Sequence, residues 1–152
     1  MKTISQTLVI AGLFGIAGAA QAAANCTVAI KGDDAMKFDI AQATVSASCP
    51  TITIELTHTG KMPAAAMGHN VVVTATKDMD AVARGGIKAG VAGNYVDTSD
   101  ARVIAATTLI GGGQKARVAF PGKKLTAGGD YSFFCSFPGH SMLMKGKLVV
   151  TK

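Results

Sequence analysis

The chain has 152 residues, 49% of them apolar and 16% charged, enough for one domain with its own core. Lysine and arginine number 15 against 9 aspartate and glutamate, a net charge of +6. The basic residues are spread out, with only Lys123 and Lys124 adjacent, and aromatics are few. That excludes the clustered basic footprint of a nucleic-acid binder and leaves a surface suited to acidic partners.

In chain order, the first element is an export signal. Lys2 precedes an apolar run from Leu8 to Ala20, and Ala20-Gln21-Ala22 fits a small-x-small cleavage site. Residues 1–23 read as a signal peptide, cut after Ala22 or Ala23, because the run is short for a membrane span and rich in Gly and Ala. No other segment is apolar and long enough to be a transmembrane anchor, so residues 24–152 read as one exported domain. An oxidising compartment permits disulfides. Cys26 and Cys49 can pair, which leaves Cys135 as the odd thiol.

The exported part reads mostly as strands. Alternation marks 26–30, 38–40, 44–46 and 51–57, with Ile52, Ile54 and Leu56 on one face. The run 70–74 is continuous and apolar, as a buried strand is. Further strands are expected at 102–107, 116–120, 131–135 and 147–151, separated by Gly, Pro and Asp clusters. Residues 77–90 lack alternation and predict a short helix, capped by Asp78, facing Met79, Val82 and Ala83 inward, and stopped by Gly85 and Gly86. Many short strands with one helical excursion predict an all-β antiparallel sandwich with Greek-key connections.

The chemistry gathers in FFCSFPGHSMLMKG, residues 133–146. Cys135, His140 and Met144 surround one short, proline-stiffened loop between two strands, so a thiol, an imidazole and a thioether can meet at small closure cost. A buried lone cysteine is commonly just a small hydrophobe. Yet a Cys–His nucleophile leaves Met144 idle, and a structural zinc site needs four strong ligands where this loop offers two. Two His, one Cys and a weak axial Met describe a blue-copper site. The second histidine is His58 or His69. The glycine before His69, in Met67-Gly68-His69-Asn70, favours His69 without deciding the matter.

These residues resemble the azurin family, small bacterial cupredoxins, over nearly the whole exported part. The resemblance rests on Cys26 and Cys49, Met67-Gly68-His69-Asn70, Arg102-Val103-Ile104-Ala105 and the spacing Cys-x4-His-x3-Met. It implies a cupredoxin β-sandwich holding one type 1 copper. His69, Cys135 and His140 would be equatorial ligands, Met144 a long axial one, and the Gly68 carbonyl weakly opposite. Asn70 and the Phe137 N–H would hydrogen-bond the thiolate. It further implies an electron port around His140, formed by Met36, Met62, Ala66, Met67, Phe137, Pro138, Gly139 and Met142, although any one of these methionines could equally fill core space.

The implied function is one-electron transport in the periplasm by a monomer that is not an enzyme. The expected partners are redox proteins such as c-type cytochromes or a copper or haem reductase, with an acidic docking surface that suits the lysine balance. A copper storage or delivery protein is the first alternative, a metal-free structural sandwich the second and a Cys–His hydrolase the third. Fast electron self-exchange would separate carriage from storage. The chain departs from the family in having Val71 where many members carry Trp and Ala106 where some carry a surface histidine. His58 matches a family histidine near the metal and is read here as a satisfied structural residue.

Overall fold

Two strands set the pattern for the rest of this computed structural model, which describes residues 25–152. The signal peptide and its cleavage point lie outside the described residues. In β1 (Thr27–Gly32) and β3 (Ile52–His58) buried side chains alternate with more exposed ones, as the pleat requires when one face meets a core. Val28, Ile30, Ile52, Ile54 and Leu56 are at most 5% exposed, and burying each such side chain stabilises the fold by roughly 1.5–3 kcal/mol. The alternation runs one step beyond the apolar residues. The next inward positions are Gly32 and His58, which pair across β1 and β3, so the core stripe ends in a glycine and a histidine.

Six more strands complete two sheets: β2 (Gln42–Ser46), β4 (Val72–Ala75), β5 (Ala105–Ala106), β6 (Lys115–Phe120), β7 (Tyr131–Phe134) and β8 (Lys145–Thr151). Their orders are β1-β3-β6 and β2-β8-β7-β4-β5. The expected sandwich is present, but it is not purely antiparallel. β1 pairs with β3, and β2 with β8, in parallel. Between β1 and β3 the chain crosses to the other sheet and back, so the two neighbours run the same way. Side-chain alternation is the same in either direction, which hides this from the sequence.

Other boundaries also shift. Phe38-Asp39-Ile40 is not a strand: Phe38 makes an isolated bridge to Gly32, and the Asp39 carboxylate accepts the Lys31 N–H at 2.7 Å. The strand expected from Arg102 begins only at Ala105, because Asp100 folds back to accept both the Arg102 N–H and its guanidinium. A one-turn helix, α1 (Ala64–Met67), precedes Gly68 and was not expected.

The helical excursion is α2 (Met79–Ala89), entered from a 3-10 turn at Thr76–Asp78. Met79, Val82 and Ala83 face inward as expected, against Val72, Phe134 and Val96. Asp78 makes no side-chain cap, since the turn before it already leads into the helix. Nor do Gly85 and Gly86 stop it. Gly86 is a flat spot for packing: a Cβ there would lie 2.0 Å from the Tyr95 carbonyl oxygen. The helix ends instead at Gly90, whose φ of 62° only glycine adopts readily. Cys26 and Cys49 form a disulfide at the opposite end of β1 from Gly32. Among the described residues no helix is long and apolar enough to cross a membrane.

Candidate metal centre

Cys135 directly follows β7, whose two phenylalanines divide the interior: Phe133 packs in the main core and Phe134 against α2. The loop after it closes on itself. The Cys135 N–H donates to the Met144 carbonyl at 2.9 Å, and the Met144 N–H to the His140 carbonyl at 2.8 Å. Gly139, at φ 84°, makes the reversal and leads into a 3-10 turn at His140–Met142. The turn brings His140 Nδ1 to 3.6 Å from Cys135 Sγ. His140 is 3% exposed. Its Nε2 has no protein partner, and no buried side-chain nitrogen or oxygen lacks one among the described residues, so that nitrogen reaches the surface.

His69 arrives from the other side, at a bridge with Ile110 just before β4. Its Nε2–H donates to the Asp33 carbonyl at 2.8 Å. Its Nδ1, 4.0 Å from Cys135 Sγ, also lies 2.9 Å from the Gly68 carbonyl, so in the Nε2–H tautomer it faces the thiol as an acceptor. The Gly68 carbonyl lies 3.8 Å from the same sulfur. The donor atoms of His69, Cys135 and His140 all fall within 4.8 Å of one another, and all three residues are buried. Met144 is fully buried, and a Cβ on Gly32 would touch both its methyl (3.2 Å) and the His69 ring (2.8 Å). Glycine at 32 therefore lets imidazole and thioether lie against the end of β1.

Around this cluster the polar groups are paired. Asn70 Oδ1 accepts the Ser136 N–H at 2.8 Å, while its Nδ2 donates to Ser136 Oγ and to the Asn94 carbonyl, each at 2.8 Å. The backbone N–H groups of Asn70 and Phe137 point at the Cys135 sulfur. His58 stacks on His69, donates from Nε2 to the Met67 carbonyl and accepts the Gly60 N–H at Nδ1. Both of its nitrogens are used within the protein, as expected of a structural histidine.

Burial decides the charge of the donors. It pushes the Cys135 thiol up to about 11, partly offset by the Asn70 and Phe137 N–H groups. Burial also lowers His69 and takes His140 down to about 4. Both imidazoles are neutral at pH 7, the form that binds a metal, and only the thiol has a proton to lose. Soft sulfur beside two imidazole nitrogens, dry and closely spaced, suits copper.

Comparison with known proteins also points to copper. The family described as copper binding proteins, plastocyanin/azurin family, matches residues 24–151. The chain belongs to the plastocyanin/azurin family. It is 52% identical to the azurin of Bordetella pertussis over 126 residues, 83% of this chain and 84% of that protein. It is likewise 52% identical to the azurin of Alcaligenes faecalis over 123 residues, 81% and 96% of the two chains. A solved azurin, Az-iso2 of Methylomonas sp. strain J, superposes with a TM-score of 0.80 at 39% identity, covering 85% of this chain and all of that one.

Within this azurin-family chain the expected port residues divide into two groups. Met62, Ala66, Pro138, Gly139 and Met142 are exposed, Met142 at 71%. Met36, Met67 and Phe137 are half-buried, and Met36 packs against the core. Leu143, 66% exposed beside Met142, was missed, although its place in the ligand loop could have flagged it. The Trp position, Val71, is fully buried and donates its N–H to Thr107 Oγ1, so the core closes around the smaller side chain. Sequence reasoning also missed the Asp33 carbonyl, Gly32, Ser136 and Asn94. Gly32-Asp33-Asp34 is one of the Gly and Asp clusters between strands, and a backbone acceptor carries no signature of its own.

Proposed function

We propose that this chain is a periplasmic one-electron carrier. His69, Cys135 and His140 would hold one copper ion, with the Met144 thioether and the Gly68 carbonyl as weaker donors beside it. The convergence of one thiol sulfur and two imidazole nitrogens within 4.8 Å in a buried setting carries this reading. Bound copper supplies a centre that gains and loses one electron. The protein holds the donors in place through the Asp33 carbonyl, Asn70 and the closed loop 135–144, so little has to rearrange between the two charge states. It excludes water with Phe133 and Met144, and the Asn70 and Phe137 N–H groups draw electron density from the sulfur.

Electrons would pass at the His140 edge. The exposed Met62, Ala66, Pro138, Gly139, Met142 and Leu143 offer a small apolar contact for a short-lived complex with a redox protein, and the basic surface favours an acidic one. The export signal at residues 1–23 supports the compartment, and the carrier acts as a monomer and not as an enzyme. The test is to add Cu(II) to the purified exported domain. An intense blue thiolate-to-copper band is expected, and Cys135→Ser abolishes it. A colourless wild type overturns the reading.

A further inference from the structure

We infer that Asn94 and Tyr95 form a positioning clamp that tunes the copper centre without supplying a ligand; this rests on the copper reading above. The two residues are consecutive and both left-handed, at φ 56° and 54°. Asparagine tolerates that conformation and tyrosine rarely adopts it, so the surroundings must hold it there. They hold it from two sides. Behind, Gly86 of α2 lies flat against the Tyr95 carbonyl, leaving no room for a Cβ. In front, Asn94 Oδ1 accepts the Leu109 N–H at 2.9 Å, and the Asn94 carbonyl accepts Asn70 Nδ2 at 2.8 Å.

The clamp reaches both donors to the thiolate. Asn70 holds Ser136 through its carboxamide, and the Asn94 carbonyl takes its remaining hydrogen, which stops the amide from turning. The Tyr95 ring meets Phe137 edge-on, with centroids 5.3 Å apart, and Phe137 in turn lies 4.6 Å from the His140 ring. Asn70 and Phe137 are the two residues whose N–H groups face the Cys135 sulfur. A segment that fixes both sets how strongly the thiolate is hydrogen-bonded, and hence how much charge it gives the metal.

The test uses Asn94→Gly, which keeps the left-handed backbone and removes the side-chain anchor to Leu109. In the copper-loaded protein the reduction potential is expected to fall, with Cu(II) favoured over Cu(I) by about fivefold, the usual worth of one hydrogen bond. The blue band shifts with it. In the copper-free protein the Asn70 carboxamide protons exchange faster by NMR. Gly86→Ala, which touches no ligand loop, is expected to move the potential the same way and serves if the first variant does not fold. A blue wild type whose variants melt earlier while keeping their potential, band and Asn70 exchange rate would make Asn94 and Tyr95 merely structural and overturn the clamp. A colourless wild type overturns the copper reading instead.

Discussion

The imidazoles of His58 and His69 lie stacked, with centroids 4.2 Å apart and planes 11° from parallel. His58 also holds the Met67 carbonyl at 2.8 Å, so it supports His69 and the turn that delivers it. His58→Phe keeps a flat ring but leaves that carbonyl and the Gly60 N–H without partners. A loss of about 1–3 kcal/mol is expected in chemical denaturation of the copper-free protein, the usual cost of buried groups left unpaired. An unchanged midpoint would mean that stacking alone supports the turn.

Gly32→Ala places a methyl 2.8 Å from the His69 ring and 3.2 Å from the Met144 methyl. The thioether is the more flexible neighbour, because His69 is anchored to the Asp33 carbonyl. Overpacking of this kind commonly costs about 1–3 kcal/mol. The expected outcome is lower stability with the thioether displaced, read as a perturbed blue spectrum. A wild-type spectrum would mean that β1 yields instead of the ligands.

The charge states of the copper-free protein's donors fix its pH profile. Cys135, raised from 9.0 to about 11, contributes stability that is full below pH 9.0 and lost as pH rises through 11. His140, lowered from 6.5 to about 4, contributes stability that is full above 6.5 and lost as pH falls through 4. With respect to these two groups, copper-free protein is most stable between pH 6.5 and 9.0, and denaturation curves across pH 3–12 test this. Copper uptake at pH 7 should release about one proton, from the thiol alone. Calorimetry in buffers of different ionisation enthalpy counts it, and a count near two or more would contradict neutral imidazoles.

Removing the disulfide separates scaffold from site. Cys26→Ala with Cys49→Ala should cost roughly 3 kcal/mol by releasing a constrained loop. The bridge lies at the far end of β1 from Gly32, so the blue band should keep its position. A shifted band would show that strain travels along the strand.

Much of the site was legible because its chemistry sits in side-chain identities. Cys135, His140 and Met144 share one loop, and a thiol, an imidazole and a thioether have few joint uses. Choosing His69 over His58 was not legible from the residues alone. His58 ends a run of alternation and His69 opens an apolar run, each beside a turn, and only the tertiary bridge between His69 and Ile110 turns one toward the thiol. The supports were hidden for a different reason. The carbonyls of Asp33 and Asn94 act as backbone, and any residue there would offer the same acceptor. Gly86 misled because a packing glycine and a helix-ending glycine look alike until the neighbour, Tyr95, is in place. The parallel pairs were hidden because a pleat alternates identically whichever way its neighbour runs.

The loop from Cys135 to Met144 is closed by its own backbone bond, and it carries two kinds of information at once. It bears the thiol, one imidazole and the thioether, and it also bears Pro138, Gly139, Met142 and Leu143 on the outer face. Under the copper reading, a change within it would alter the electronic character of the centre together with what a partner touches. The His69 side is separate, buried under His58 and anchored to Asp33. Substitutions beneath His69, at His58 or Gly32, can act on the centre away from the contact face, whereas Met62 and Ala66, on the segment leading to His69, belong to that face. Selection for a new partner and selection for a new driving force would therefore act on different stretches of chain only when the second is met from beneath His69.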